Sequence, residues 1–396
     1  MTMDKAEKRW TMITLASIPL IMTLGNSMLI PVLPLMEKKL EITTFQSSLI
    51  ITVYSIVAIF LIPIAGFLSD RYGRRRIIIP ALIITGIGGL IAALSSWKLS
   101  NPYIPILMGR ILQGIGAAGA MPIVFPLIGD LFPRDEEASA ALGIVETSNT
   151  IGKVLSPILG AFLASLIWYL PFFSIPAFCL ISLMMVLFLV KNEKNEDPMT
   201  FKEYIEIVRS ALKEHRRWLM AVFFLGAILM FVLFGFLFYL STLLEEQFHY
   251  EGVVKGLLLA VPLLALSAAA YITGHKIKAE LKTMKWVSFA GIVLMGGSVL
   301  LLSFAQSLIF LLFIFLMTGI GIGISLPSLD ALLTNSFDKE VRGMITSIYS
   351  SMRFIGVAAG PPAIALLMKY DLFWMISLFS LLGLGGAILA FKNIKP

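Results

Sequence analysis

Long apolar runs separated by short polar turns make up nearly all of this chain. A bilayer-spanning helix needs about 20 predominantly apolar residues. Twelve runs reach that scale, near 11–35, 45–68, 78–97, 103–131, 138–168, 172–190, 218–243, 253–274, 286–304, 308–333, 341–368 and 372–391. The pattern predicts an all-α integral membrane protein of twelve transmembrane helices, with almost nothing left for a soluble domain. One break is different in kind: Lys191 to Pro198, K-N-E-K-N-E-D-P, is charged and poor in apolar residues. It divides the chain into a six-helix bundle over 1–190, a linker over 191–217 and a second six-helix bundle over 218–396. Within the linker, Phe201, Tyr204, Ile205, Val208, Ala211 and Leu212 share one helical face. That spacing predicts an amphipathic helix lying on the inner membrane surface as a passive tether.

The fifth run contains the stretch that breaks the apolar rule, Gly143 to Ala161, with a carboxylate at Glu146 and an ammonium at Lys153. A charge at mid-bilayer costs at least about 2.5 kcal/mol, so an ionisable residue there is a functional candidate by default. Glu146, Asn149, Thr150 and Lys153 follow i, i+3, i+4, i+7 spacing, which places them on one face as a polar stripe facing water. Gly152, Ser156 and Gly160 recur every four residues on a neighbouring face. Small residues there let another helix come close, and Pro157 adds a kink.

Composition agrees: 58% of residues are apolar, 14% charged, and the mean hydropathy is +0.91. The net charge of +7 would fit a nucleic-acid partner only if the cations clustered on a soluble face. Their placement points elsewhere. The outer loops hold Lys38, Lys39, Lys98, Lys255 and Lys369; Arg110, Lys153 and Arg353 fall within spans, and the remaining cations fall on the other side. This positive-inside asymmetry predicts cytoplasmic termini and adhesion to anionic lipid, with no nucleic acid. The first apolar run is long and lacks a small-residue cleavage site before Pro31 and Pro34, so it reads as a span and not a secretory signal. The single cysteine, Cys179, excludes an intrachain disulfide and a Cys-based metal site. No cofactor or metal is expected.

Span one carries Asn26, which suits a hydrogen bond to a neighbouring helix or to a substrate. After span two comes G-F-L-S-D-R-Y-G-R-R-R, Gly66 to Arg76, including Asp70, Arg71, Gly73 and Arg74. This stretch resembles the Gly-x-x-x-Asp-Arg-x-Gly-Arg-Arg signature of the major facilitator superfamily. The resemblance implies a conformational latch holding the two halves together on the cytoplasmic side, with Asp70 near the start of span eleven and Asp130 joining it. Arg110 lies deep in span four and must find an acceptor, because a desolvated guanidinium keeps its proton. Arg110, Gln113 and Gly114 are similar to the superfamily's fourth-helix motif, which the family associates with proton transfer. A structural tether to backbone carbonyls is the other reading. Gly143, Gly152, Pro157 and Gly160 resemble the Gly-Pro motif of drug and proton antiporters, with Ser156 and Ala161 in place of two family glycines.

Spans ten and eleven repeat four and five: Gly114-Ile-Gly with Pro122 recurs as Gly319-Ile-Gly with Pro327, and Gly152 with Pro157 recurs as Gly356 with Pro361. Duplicated transporters place substrate near mid-membrane between their halves. Glu146 and Lys153 have no charged counterpart in the repeat, while Asp330 and Arg353 are extra charges in the second half. Phenylalanine-rich span seven contacts lipid or lines a greasy cavity. No phosphate-cradling loop or enzyme constellation is present, so an ion gradient or the cargo's own gradient supplies the energy. Burial favours the protonated form of a carboxyl group and a nearby cation opposes it, which suits a lone acid to proton coupling. The residues suggest that Glu146, tuned by Lys153 or Arg110, exchanges a proton for small amphiphilic cargo, cationic compounds included. The family resemblance implies a twelve-span drug and proton antiporter of a bacterial cytoplasmic membrane, and a monomer is expected. A sugar or metabolite carrier, or a lipid flippase, would share the fold.

Overall fold

The computed structural model describes residues 5–132, 135–190, 200–277, 280–305, 307–337, 339–370 and 372–394. Every regular element among them is helical. Twelve helices are long and apolar enough to cross a membrane: Ala6–Leu40, Thr44–Tyr72, Arg74–Lys98, Tyr103–Leu131, Ala140–Leu166 and Leu170–Leu189, then Arg216–Glu246, Gly252–Lys276, Leu281–Phe304, Leu308–Ser336, Val341–Leu367 and Phe373–Asn393. These are spans one to twelve. The Lys191 to Pro198 stretch that marks the expected boundary lies outside the described residues.

Local chemistry sets the ends. Thr43 and Gln46 form a reciprocal capping box at the start of span two, and Gly73, at φ +96°, ends it in a backbone conformation that side chains disfavour. Span one bends where Ile30, Pro31 and Val32 form a single 3-10 turn before the helix resumes at Leu33. Prolines at 63, 80, 122, 126, 157, 176, 262, 327, 361 and 362 sit inside spans. Neighbouring helices make such breaks tolerable in lipid.

The two halves are pseudo-symmetric, and their glycines show it. A Cβ at Gly114 of span four would strike the Tyr54 carbonyl of span two; one at Gly319 of span ten would strike the Pro262 carbonyl of span eight. Gly116 abuts Ala81 and Thr85 of span three as Gly321 abuts Gly291 and Met295 of span nine. Gly152 lies against Leu20 and Thr23 of span one as Gly356 lies against Ala227 and Phe231 of span seven. Absence of a side chain at each crossing brings backbones together where packing, not water exclusion, drives association.

The halves meet along two seams, span two against span eleven and span five against span eight. Away from the termini the seams are tight. Thr52 Oγ1 of span two donates to the Ala358 carbonyl of span eleven at 2.8 Å, and beside the seams Ser241 Oγ of span seven donates to the Ile30 carbonyl of span one at 3.0 Å. A Cβ at Gly256 would lie 2.6 Å from the Pro157 carbonyl. Towards the termini, added Cβ atoms at Gly129, Gly143, Gly274 and Gly343 would meet nothing within 4 Å.

The helix Phe201–Glu214 is capped by Thr200 and Glu203. Part of its apolar face packs on protein, while Ile205 stays exposed. Tyr204 and Val208 are buried against Phe67 of span two and Met344 of span eleven, and Tyr204 meets the Phe67 ring edge-on at 5.4 Å. Burial raises the Tyr204 hydroxyl to about 12, with Asp70 close enough to add to the effect. The helix is therefore a clasp across the span two and span eleven seam.

Candidate functional site

Four charges converge between the halves. Glu146 lies six residues into span five, about 9 Å along the axis from its start, and Lys153 lies two turns deeper. Asp330 of span ten and Arg353 of span eleven approach from the second half. Arg353 Nη1 donates to Asp330 Oδ1 at 3.5 Å. Glu146, Arg353 and Asp330 all lie within electrostatic reach of the Lys153 ammonium, and Glu146 also within reach of Asp330 and Arg353. The group is partly exposed: the Asp330 side chain keeps 47% of its exposure and Glu146 is exposed, while Lys153 and Arg353 are half-buried. From the other bundle Glu146 is faced by one opposite charge, Arg353, and one like charge, Asp330. Lys153 has no ion pair among the described residues.

Span one steadies this wall. Thr23 Oγ1 donates to Asn149 Oδ1 at 2.6 Å, leaving the Asn149 amide to donate to Glu146 Oε1 at 3.3 Å. Ser156 Oγ donates to the Gly152 carbonyl at 2.5 Å, and a Cβ at Gly160 would collide with the Met28 carbonyl. The small-residue face with Gly152, Ser156, Pro157 and Gly160 is thus a packing seam against span one, which fixes how far Glu146 projects. Gly143 departs from that role, since it packs against nothing.

Arg110 belongs to a different place. It is 0% exposed; its Nε donates to the Ile50 carbonyl at 2.8 Å, Nη2 to Asn26 Oδ1 at 2.6 Å, and Nη1 to the Gly25 carbonyl at 3.2 Å and to Gln113 Oε1. The Tyr54 ring covers the guanidinium, 4.5 Å from its centroid. Five neutral partners from spans one, two and four hold it, none from span five. Arg110 therefore makes no bond to Glu146, and Asn26 and Gln113 serve as its tethers in this conformation. At the termini end, Arg74 pairs with Asp130 and reaches Asp70 at 3.4 Å, while Arg71 lies over the Tyr72 ring. Gly66 lets span two approach span eleven: a Cβ there would stand 3.1 Å from Ser347 Oγ.

The sequence profile of the Major Facilitator Superfamily matches residues 15–361 and 282–396. The chain belongs to the Major Facilitator Superfamily. The bacillibactin exporter of Bacillus subtilis (strain 168) is 55% identical over 370 residues, covering 93% of this chain and 92% of that protein. Multidrug resistance protein 2 of the same organism is 25% identical over 367 residues, covering 90% and 88%. The crystal structure of the human organic anion transporter MFSD10 superposes with a TM-score of 0.75 at 18% identity, covering 97% of this chain and 99% of that one. This superfamily member is a multi-pass transporter and not an enzyme.

Two features of this superfamily chain escape a sequence reading. Lys255, counted as an outer-loop cation, is 1% exposed and paired with Glu245. Only its position one turn into an apolar run hints at burial. Span seven's phenylalanines are mostly core: Phe236 packs edge-on to Phe379 at 4.4 Å and against Phe315 at 5.0 Å. They fill the second bundle instead of lining a cavity.

Proposed function

We propose that this chain exports small amphiphilic compounds across a bacterial cytoplasmic membrane in exchange for protons, by alternating access, with both termini cytoplasmic. The observation that carries the reading is the charge group shared by the halves. Glu146 and Lys153 come from the first bundle, Asp330 and Arg353 from the second. An opposite charge nearby favours the ionised form of a carboxyl group, so moving one bundle against the other changes the proton affinity of the acids between them. Proton binding and conformation are then linked in both directions.

Glu146 is the exchanging acid in this scheme: exposed to the vestibule, it has one long hydrogen bond to lose. Lys153 is its cation, and the Asp330–Arg353 pair is the counter-charge on the moving bundle. Gly66, Asp70, Arg71, Gly73, Arg74 and Asp130 form the latch at the cytoplasmic end. Similarity to the bacillibactin exporter supports a siderophore of that kind as cargo, and the multidrug relative supports tolerance of other amphiphiles. The test is efflux from cells expressing the chain, with bacillibactin as cargo and a fluorescent amphiphile beside it. Export that stops on adding an uncoupler supports the reading; export that ignores the proton gradient contradicts it.

A further inference from the structure

Lys255 sits in the first turn of span eight, at the end of the molecule farthest from the termini and from the charge group just described. Burying an ammonium costs several kcal/mol unless its protons all find acceptors. Here Nζ donates to Glu245 Oε2 of span seven at 2.8 Å and to the Pro31 carbonyl of span one at 2.8 Å. The second carboxylate oxygen of Glu245 takes Lys38 Nζ, also of span one, at 2.8 Å. Pro31 and Lys38 belong to the first half of the chain, Glu245 and Lys255 to the second.

The position is as telling as the partners. Next to Lys255, Gly256 presses on Pro157 and Ile158 of span five, and Gly252 faces Ser165. Glu37, Glu246 and Glu251 are the other charges around the group; Glu37 is itself held by Ser47 Oγ at 2.5 Å and Thr44 Oγ1 at 2.8 Å. A network of three charges and one carbonyl therefore joins span one to spans seven and eight, beside the span five and span eight seam. Its bonds are short only while the halves stay together.

We propose that Lys255, with Glu245, Lys38 and the Pro31 carbonyl, is the lock of the face opposite the termini, a positioning residue that sets how often the charge site opens there. The proposal rests on the alternating-access reading. In the closed state the ammonium is buried and held by two acceptors, one of them a carboxylate; when the halves part, water replaces the Pro31 carbonyl and Lys38. Removing Lys255 strands the Glu245 carboxylate beside one exposed lysine, and opening to water relieves it.

The test uses the full chain with Cys179→Ala and a reporter, Ala161→Cys, because Ala161 is buried in the seam beside Gly256. A membrane-impermeant maleimide is applied to the face opposite the termini. Lys255→Met and Glu245→Gln are each expected to raise the labelling rate about tenfold, the response to a shift of roughly 1.4 kcal/mol. Lys255→Arg, which keeps the charge and can still donate, gives a smaller rise. Wild-type labelling in folded Lys255→Met and Glu245→Gln overturns the lock. If the single variants do not fold, the Lys255→Met/Glu245→Gln pair buries no lone charge, and wild-type labelling there overturns it equally. The assay needs neither cargo nor gradient. Raised labelling in a chain that exports nothing keeps the lock and removes the export reading; export with unshifted labelling does the reverse.

Discussion

The two groups of charges between the bundles differ in how completely they are satisfied. At the face away from the termini, Lys255, Glu245 and Lys38 are joined by 2.8 Å contacts, and the first two are buried. Nearer the termini, Asp330 and Arg353 share one 3.5 Å contact, Glu146 holds one 3.3 Å bond and Lys153 has no ion pair among the described residues. A saturated dry pair resists change, because losing one partner strands a buried charge. A loose wet group can accept a proton or a cargo at little cost. The first arrangement stores a conformation; the second is built to respond.

That contrast breaks first at the saturated end. Glu245→Ala should lower stability by about 3 kcal/mol or more, read as a drop in thermal unfolding temperature in detergent, since it leaves Lys255 buried with one carbonyl. Arg110→Lys should follow at about 1 to 3 kcal/mol, because an ammonium cannot serve acceptors spread over spans one, two and four, and buried carbonyls are left unpaired. Asp330→Asn should change stability by no more than about 1 kcal/mol, given its solvent contact, while slowing gradient-driven efflux. Smallest of all, Lys38→Ala, on the exposed side of Glu245, should stay within about 1 kcal/mol. An Asp330→Asn loss as large as that of Glu245→Ala would erase the distinction between the two groups.

Spans were legible because lipid forces every backbone group into a helix and every helix into an apolar run. The crossings were legible too, since the same glycines recur in both halves and each meets a backbone in the structure. Helical spacing put Glu146, Asn149 and Lys153 on one water-facing stripe, and Asn149 departs from it: it is buried against Thr23 of span one. Asp330 and Arg353 could be picked out as extra charges of the second half, but how they meet each other and face Glu146 is set by folding. Lys255 was misread because a lysine one turn inside a span has the pattern of an interfacial anchor, and its acceptors at Pro31 and Glu245 leave no trace in local sequence. The clasp helix is a related case. An apolar face at helical spacing says that something covers it, and Phe67 and Met344 cover Tyr204 and Val208.

The central claim, that Glu146 carries the exchanged proton, is tested most directly in proteoliposomes containing purified chain, with labelled bacillibactin and an imposed pH gradient. Wild-type protein should concentrate cargo against its gradient, and Glu146→Gln should lose that response while still exchanging cargo across vesicles held at one pH. Gradient-driven accumulation by Glu146→Gln at the wild-type rate would contradict the account.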